Sequence, residues 1–179
     1  MDLFEWKKNS YLVVVGYYSR FIEIAYLTST TSVRVIEHLK SIFSRHGIPE
    51  LVASDNGPQF SSGDFAKFGD KYGFRHTISS PHYRLGNNEA ERAVETDKGL
   101  LNKADDPYLA MLSYHSTPLQ NGFTPTELMG RKLRTKVPVL PSTLVPDWHG
   151  KNVESADQKQ KERQKRNFDN LHKSKPLPK

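Results

Sequence analysis

With 179 residues, the chain is long enough for one sizeable hydrophobic core and additional segments, and this length favours one domain over two complete ones. The formal net charge is +6, and residues 151–179 contribute most of it, with nine Lys or Arg against four Asp or Glu; this excess favours a polyanionic partner, although it also serves solubility. The absence of cysteine excludes disulfides, thiol nucleophiles and Cys-ligated zinc, and no apolar run approaches the roughly 20 residues that span a bilayer.

The first third of the chain predicts three strands and a helix. The β-branched and aromatic runs Tyr11–Val15 and Phe21–Leu27 predict an antiparallel hairpin, and Met1–Trp6 predicts the remainder of a first strand. Apolar residues at helical spacing between positions 35 and 43 then predict a helix, which Ser32 caps and Gly47 ends.

Strands and helices continue to alternate in the middle of the chain. The predicted elements are a strand at Leu51–Ser54 that leads into a turn at Asp55, a helix over residues 62–73, a strand at Phe74–Ile78, a polar loop at Ser79–Asn88 and a helix from about Asn88. The order is therefore three strands, helix, strand, helix, strand and helices, which is typical of an α/β domain.

The last third predicts helices, a linker and a tail. Helices are expected at Pro107–His115 and Pro125–Gly130, the second opened by a Thr-Pro pair. Three prolines between positions 138 and 146 forbid a regular element there. We therefore expect a core at residues 1–135, a linker at 136–150 and a basic tail at 151–179 that is either helical or disordered.

Three acidic residues stand where strands end or a helix begins. Taken singly, Asp2 is explained as a solvated terminal residue, Asp55 as a turn former, and Glu91 as an acid favoured by the first turn of a helix. Their spacing changes this interpretation: 52 residues separate Asp2 from Asp55, and 35 separate Asp55 from Glu91.

This spacing resembles the D,D-35-E signature of integrases, and the sequence around the acids resembles gypsy-type retrotransposon integrases. The motifs that carry the resemblance, in family order, are Val14–Glu23, Ser54–Phe60, Asn87–Ala93 and the block from Pro107 to Arg131. The resemblance covers nearly the whole chain.

The resemblance implies an RNase H-like fold, in which helices flank a mixed five-stranded sheet whose first and fourth strands are neighbours. Asp2, Asp55 and Glu91 would then converge as catalytic and metal-binding residues. Three carboxylates supply the hard oxygen ligands of two Mg²⁺ or Mn²⁺ ions, and no zinc is expected. The implied reaction is the cleavage and joining of DNA phosphodiesters, which is DNA integration.

The resemblance also implies nucleic-acid contacts and partners. Lys98 lies seven residues after Glu91, on the same helical face, where the family uses a lysine to hold DNA phosphate; Tyr83, Arg84 and Arg92 are further expected DNA contacts. Solvated surface positions remain the alternative for them, as for the basic run 159–166.

DNA and a second copy of the core are the expected partners, without a membrane or a small-molecule substrate. The expected location is intracellular, with action in the nucleus. Two histidines, His76 and His82, are interpreted as packing or surface residues, because no third metal ligand stands at suitable spacing.

Several features depart from the family. The zinc-binding domain before the core and the β-barrel after it are expected to be missing. The first strand is expected to be truncated, leaving Asp2 on a frayed end beside the Met1 α-ammonium.

Two replacements concern loops, because Gly16 stands where the family has an acid and Asn88 where it has a glycine. Two others concern the helix of Glu91, where Asp97 interrupts an apolar stripe and Gly99 weakens the helix. A decayed, non-catalytic module that binds nucleic acid or protein is therefore the alternative function. A plain RNase H-type nuclease is a third, which the block from Pro107 to Arg131 does not resemble.

Overall fold

The computed structural model describes residues 1–78, 93–96, 98, 99, 102, 106–138, 140–144, 155 and 158–167. The chain divides into two compact units, Met1–Pro107 and Tyr108–Lys179. The strands are β1 (Asp2–Trp6), β2 (Asn9–Val15), β3 (Ile22–Leu27), β4 (Leu51–Ser54) and β5 (Arg75–Ile78). The helices of the first unit are α1 (Ser32–His46), α2 (Gly63–Tyr72) and the helical residues 93–96, 98, 99 and 102, which we call α3.

All five predicted strands are present. Antiparallel pairing joins β1, β2 and β3, and parallel pairing joins β4 and β5. A hydrogen bond from the Met1 amine to the Ala53 carbonyl (2.8 Å) links the two sheets, so β1 and β4 are neighbours as predicted. Among the described residues, no strand ladder joins β1 to β4.

Helices lie on both faces of the three-stranded sheet because its side chains alternate. Leu3, Leu12 and Ala25 point to one face, where they join the core formed with α1 and α2. Phe4, Tyr11 and Tyr26 form an aromatic row on the other face, with ring centroids 5.4 and 5.7 Å apart. Residues of α3 contact this second face, as described below.

The core under β5 is aromatic. Phe65 of α2 is fully buried and packs edge-on against Phe68 and Phe74, with ring centroids 5.9 and 6.2 Å away. Phe43 of α1 stacks on Phe68 at 5.9 Å and thereby joins the two helices. Aromatic pairs of this geometry add specificity to the area they bury, so β5 and α2 are held in a defined relation.

The ends of α1 and α2 follow from their capping residues. Contrary to prediction, Ser32 is the first helical residue of α1, and the N-cap is Thr31, whose hydroxyl contacts Ser29 at 3.1 Å and makes no cap bond. Gly47 ends α1 as predicted, at a positive φ of 89°. In α2 the Ser62 side chain accepts from the Phe65 amide, and left-handed Gly73 ends the helix.

The second unit contains α4 (Pro107–Ser116), α5 (Pro125–Leu128) and helical residues 158–167, which we call α6. A capping box of Thr124 and Glu127 opens α5, as the Thr-Pro pair predicts. Pro141–Leu144 form a 3₁₀ turn, so the prediction that no regular element forms here is wrong. Proline is tolerated at the start of such a turn because its missing N–H would have no partner there.

The turn between β1 and β2 consists of Lys7 and Lys8. Trp6 pairs with Asn9, which leaves a two-residue loop, and both lysines have positive φ, at 47° and 66°. Such a turn matches the twist of the two strands but normally selects Asn and Gly, because larger residues are strained there. Among the described residues, no helix is both long and apolar enough to cross a membrane.

Candidate functional site

Asp2 is the first residue of β1 and lies on the face that α3 contacts. It pairs with Val13 in the sheet, and its carboxylate accepts a hydrogen bond from the Leu3 amide at 2.8 Å. Met1 before it is buried, and its amine is bonded to Ala53. The prediction of a frayed strand end is therefore wrong, because the neighbouring strand and the core fix the residues on both sides of Asp2.

Asp55 follows β4 directly and begins a turn. Its carboxylate accepts a hydrogen bond from the Gly57 amide at 3.2 Å, which is the Asx geometry expected of an Asp-Asn-Gly sequence. The side chain is only partly buried. Asp55 therefore combines a backbone fixed by β4 with a carboxylate that solvent or a ligand can reach.

The Met1 α-amine lies close enough to Asp2 and Asp55 for both carboxylates to act on its charge. Burial lowers its pKa from 8.0 to about 6, and the negative charges of Asp2 and Asp55 oppose this effect by raising the pKa. Both carboxylates thus attract a cation at the junction of β1 and β4. The lowered pKa reduces the protonated fraction of the amine at pH 7, so the competition with a metal ion that the sequence predicts is weakened.

A serine and a histidine lie directly beside this junction. Ser54, at the end of β4, is fully buried, and its hydroxyl contacts both the Asp55 carbonyl oxygen (2.8 Å) and Nε2 of His76 in β5 (2.9 Å). The His76 ring packs on Phe65, with centroids 4.7 Å apart. Burial, and secondarily the Met1 ammonium, lowers the pKa of His76. The interpretation of His76 as a packing residue is confirmed.

Residues of α3 lie along β1 on the same face as Asp2. The Lys98 ammonium lies 5.7 Å from the Phe4 ring centroid, and the Trp6 indole donates a hydrogen bond to the Asn102 side-chain oxygen at 2.7 Å. Ala93 is buried. The helix therefore follows the strand, with its residue numbers increasing in the same direction.

The remaining predicted site residues lie outside the described residues. These are Glu91, Tyr83, Arg84 and Arg92, together with His82, Asn88 and Asp97. Within the part of the chain that the structure describes, no three metal-ligating side chains come together. The structure therefore brings Asp2 and Asp55 to one junction and does not test the third carboxylate.

Two features of the site have no counterpart in the sequence interpretation. The Ser54–His76 contact joins residues that are 22 positions apart, and only the pairing of β4 with β5 could have revealed it. The packing of Lys98 on Phe4 joins β1 to α3 across an even longer separation, although alternation in β1 does place Phe4 on the face of Asp2.

Comparison with known sequences gives a consistent result. Residues 1–84 match the sequence profile described as integrase core domain. The protein K02A2.6 of Caenorhabditis elegans is 36% identical over 149 residues, which cover 74% of this chain and 11% of that protein. The Gag-Pro-Pol polyprotein of Simian retrovirus SRV-2 is 33% identical over 100 residues, covering 55% of this chain and 6% of the polyprotein. The chain thus spans about a tenth or less of these relatives.

Solved structures show the same fold. The catalytic core domain of BIV integrase superposes with a TM-score of 0.62 at 22% identity, covering 72% of this chain and 90% of that domain. The HTLV-2 integrase catalytic core domain, in complex with magnesium in a dimeric form, superposes with a TM-score of 0.58 at 23% identity, covering 71% and 88%.

The strand order, the helices on both faces of the three-stranded sheet and these superpositions define an RNase H-like α/β domain with two carboxylates at the junction of neighbouring strands. The predicted fold class is thereby confirmed. Residues 1–84, just under half of the chain, match the integrase core domain family.

Proposed function

We propose that this chain is a polynucleotidyl transferase core of the gypsy-type integrases, which cleaves and joins DNA phosphodiesters with two bound divalent ions. The observation that carries the proposal is the placement of Asp2 and Asp55 at the junction of β1 and β4, where the Met1 amine before Asp2 donates a hydrogen bond to the Ala53 carbonyl of β4. The match to the integrase core domain model supports it, because that junction lies within the matched residues.

The donor set of this junction fits magnesium or manganese. Both described acids offer carboxylate oxygens, which are the ligands that these hard cations prefer, and both are partly accessible. Nε2 of His76 contacts Ser54 instead, so the donors that the described part of the junction offers are carboxylate oxygens. The magnesium complex of the HTLV-2 core supports the same choice of ion.

We propose Glu91 as the third carboxylate, and the register of α3 on β1 supports it. Lys98 contacts Phe4, and Asn102 contacts Trp6. Four residues of α3 therefore run alongside every two residues of β1. The advance is about 6 Å in both elements. If the helix continues towards its N-terminus with the same register, Glu91 lies one turn beyond the position that meets Asp2, on the face of Lys98.

Each residue has a role in the proposed reaction. Bound ions would supply Lewis-acid polarisation of the phosphodiester and of the attacking hydroxyl. Asp2, Asp55 and Glu91 would hold them and fix their separation. Lys98 would hold a DNA phosphate, and its contact with the Phe4 ring supports this role because the ring limits the orientations of the lysine side chain.

The proposal extends to partners and place of action. Tyr83, Arg84 and Arg92 are proposed as further DNA contacts on either side of the Glu91 position. A homodimer through the core is proposed because the HTLV-2 core is described in a dimeric form. Action in the nucleus follows if chromosomal DNA is the target. We further propose the division into a core at 1–135, a linker at 136–150 and a basic tail at 151–179.

Metal binding and core activity test this function separately. We expect Mg²⁺ or Mn²⁺ to raise the melting temperature of the wild-type chain, and we expect Asp55→Asn to abolish most of that rise. Asp64→Asn in the first turn of α2 is the matched control, because it removes an exposed carboxylate away from the junction. An Asp55→Asn variant that keeps the full shift would contradict the proposed site.

The second assay is metal-dependent disintegration of a branched DNA substrate, which in this family requires only the core. We expect strand resolution by the wild-type chain and loss of it in Asp2→Asn, Asp55→Asn and Glu91→Gln. A chain that binds metal and DNA but resolves no strand would instead support the non-catalytic binding module.

A further inference from the structure

We propose that His76 is a positioning residue for Asp55, acting through the Ser54 hydroxyl. The inference rests on the proposed function, because it assigns His76 a part in shaping the metal site. It starts from two contacts that connect the core to the turn that begins at Asp55. They join His76 Nε2 to Ser54 Oγ (2.9 Å) and Ser54 Oγ to the Asp55 carbonyl oxygen (2.8 Å).

The direction of these hydrogen bonds follows from the number of protons. A serine hydroxyl has one proton, and a carbonyl oxygen can only accept, so the Ser54 hydroxyl donates to Asp55. The second contact is then a hydrogen bond only if His76 Nε2 carries a proton and donates it to Ser54. The geometry therefore assigns the Nε2–H form to His76.

The hydrogen bonds from His76 to Ser54 and from Ser54 to Asp55 start in the packed core. Ser54 is fully buried, and the His76 ring packs on Phe65, which is itself fully buried in the aromatic core. The strand register places Val52 opposite His76 and Ser54 opposite Ile78, so the side chains of Ser54 and His76 approach each other diagonally across the two strands. The position of Ser54 at the end of β4 therefore depends on where α2 and β5 hold the His76 ring.

These hydrogen bonds hold the backbone carbonyl of Asp55, and the backbone sets the direction of the carboxylate. Holding the Asp55 carbonyl fixes the peptide that follows it, while the Gly57 amide holds the carboxylate itself. Loss of the His76 donor would remove one of the contacts that orient the Ser54 hydroxyl towards the carbonyl. The carboxylate would then sample more directions, and ordering it would make the free energy of metal binding less favourable.

Three variants separate this role from simple packing. His76→Phe keeps a ring on Phe65 but removes the donor, Ser54→Ala removes the hydroxyl at nearly constant shape, and His76→Gln restores an N–H donor without the ring. Mn²⁺ binding is measured by electron paramagnetic resonance of the free ion, and metal-free melting temperatures are recorded in parallel.

We expect His76→Phe and Ser54→Ala to weaken Mn²⁺ binding by about tenfold, as the loss of partners around metal ligands typically does. His76→Gln should recover most of the affinity, and the double variant should be no weaker than either single one, because both break one chain. Wild-type affinity in His76→Phe and Ser54→Ala would overturn the proposal. Equal weakening in His76→Gln and His76→Phe would also overturn it, since the ring would then be what matters.

A metal-free measurement keeps this inference distinct from the proposed function. In ¹⁵N-edited spectra we expect a protected His76 Nε2–H signal that disappears in Ser54→Ala. If wild-type protein binds no Mn²⁺, the proposed function fails, and the spectra still decide whether the hydrogen-bond chain exists. If His76→Phe does not fold, Ser54→Ala carries the binding test alone.

Discussion

Single side chains at the β1–β4 junction show how position changes the role of a common residue type. Asp55 would be an ordinary turn former elsewhere, yet its place after a buried strand brings it into the same electrostatic environment as Asp2, more than fifty positions earlier. Gly99 in α3 is a residue type that disfavours a helix, and the sequence predicts that Asp97 interrupts an apolar stripe. Each can be examined by substitution.

Gly99→Ala should stabilise the protein. Gly99 lies among the helical residues of α3, and a Cβ added there would meet no heavy atom within 4 Å. Alanine favours a helix over glycine by about 1 kcal/mol, so the free energy of unfolding should rise by that amount in urea titrations.

The matched control is Gly73→Ala, which also has free space but sits at a φ of 75°. It should lower stability by about 1 kcal/mol, because alanine is strained in the left-handed region. Equal effects of the two substitutions would contradict the helical assignment of Gly99.

Asp97→Val should also stabilise the protein. Asp97 stands four residues after Ala93, which is 3% exposed, and this helical spacing in the sequence predicts a buried position for Asp97. An unpaired carboxylate at such a position costs about 1 kcal/mol or more, and a urea midpoint that rises at constant m-value would show the gain. Glu95→Val is the control: Glu95 is exposed, and its replacement should give no gain.

At the scale of elements, local signals were predictable and long-range pairing was not. The apolar spacing of α1 and the glycine at its end lie within the helix itself, so both were predicted; the N-cap was misplaced by one residue because Ser32 and Thr31 are equally suitable by type. The boundaries of β5 and α5 also differ from the predicted ones, because tertiary contacts determine the first and last ordered residues of an element.

The candidate site shows the same division. Asp2, Asp55 and Glu91 were found because their spacing resembles a known signature, whereas no local pattern marks His76 as a neighbour of Ser54. That contact depends on the register of β4 with β5, which a single sequence does not determine. Glu91 itself stays a prediction.

The helix α6 carries a prediction about nucleic acid. Five basic side chains on it are exposed: Lys159, Lys161, Arg163, Lys165 and Arg166. If they contact phosphates, replacing all five with glutamine should weaken DNA binding and reduce the slope of log K against log salt by about 0.9 for each lost contact.

Deletion of residues 151–179 should have a similar effect on DNA binding. Glu162→Gln is the opposite control, since it removes the one acid among these side chains and should tighten binding slightly. An unchanged salt slope in the five-residue variant would leave α6 as a solubilising segment.

At the scale of the whole molecule, the buried Met1 amine and the partly buried His76 should make stability depend on pH. The Met1 amine has a pKa of about 6 in the folded chain against 8.0 when unfolded, and the pKa of His76 is lowered from 6.5. Between pH 6 and 8 the unfolded chain therefore binds more protons, so the free energy of unfolding should rise with pH and level off above pH 8.

The amine alone should contribute about 2 kcal/mol between these limits, measured in metal-free urea titrations. An Nα-acetylated chain should lose this contribution, and His76→Gln should lose only the part of the rise that lies below about pH 6.5. A stability profile that is flat from pH 6 to 8 would contradict the burial of the amine.

The tight Lys7–Lys8 turn also affects the fidelity of folding. A two-residue loop fixes how β1 aligns with β2, and a slip by one residue would turn Leu3 towards α3 and Asp2 into the apolar layer beneath α1 and α2. A misaligned chain would thus displace the proposed metal-binding carboxylate and the core contact of Leu3 together. We therefore expect an error at this hairpin to lower stability as well as metal binding.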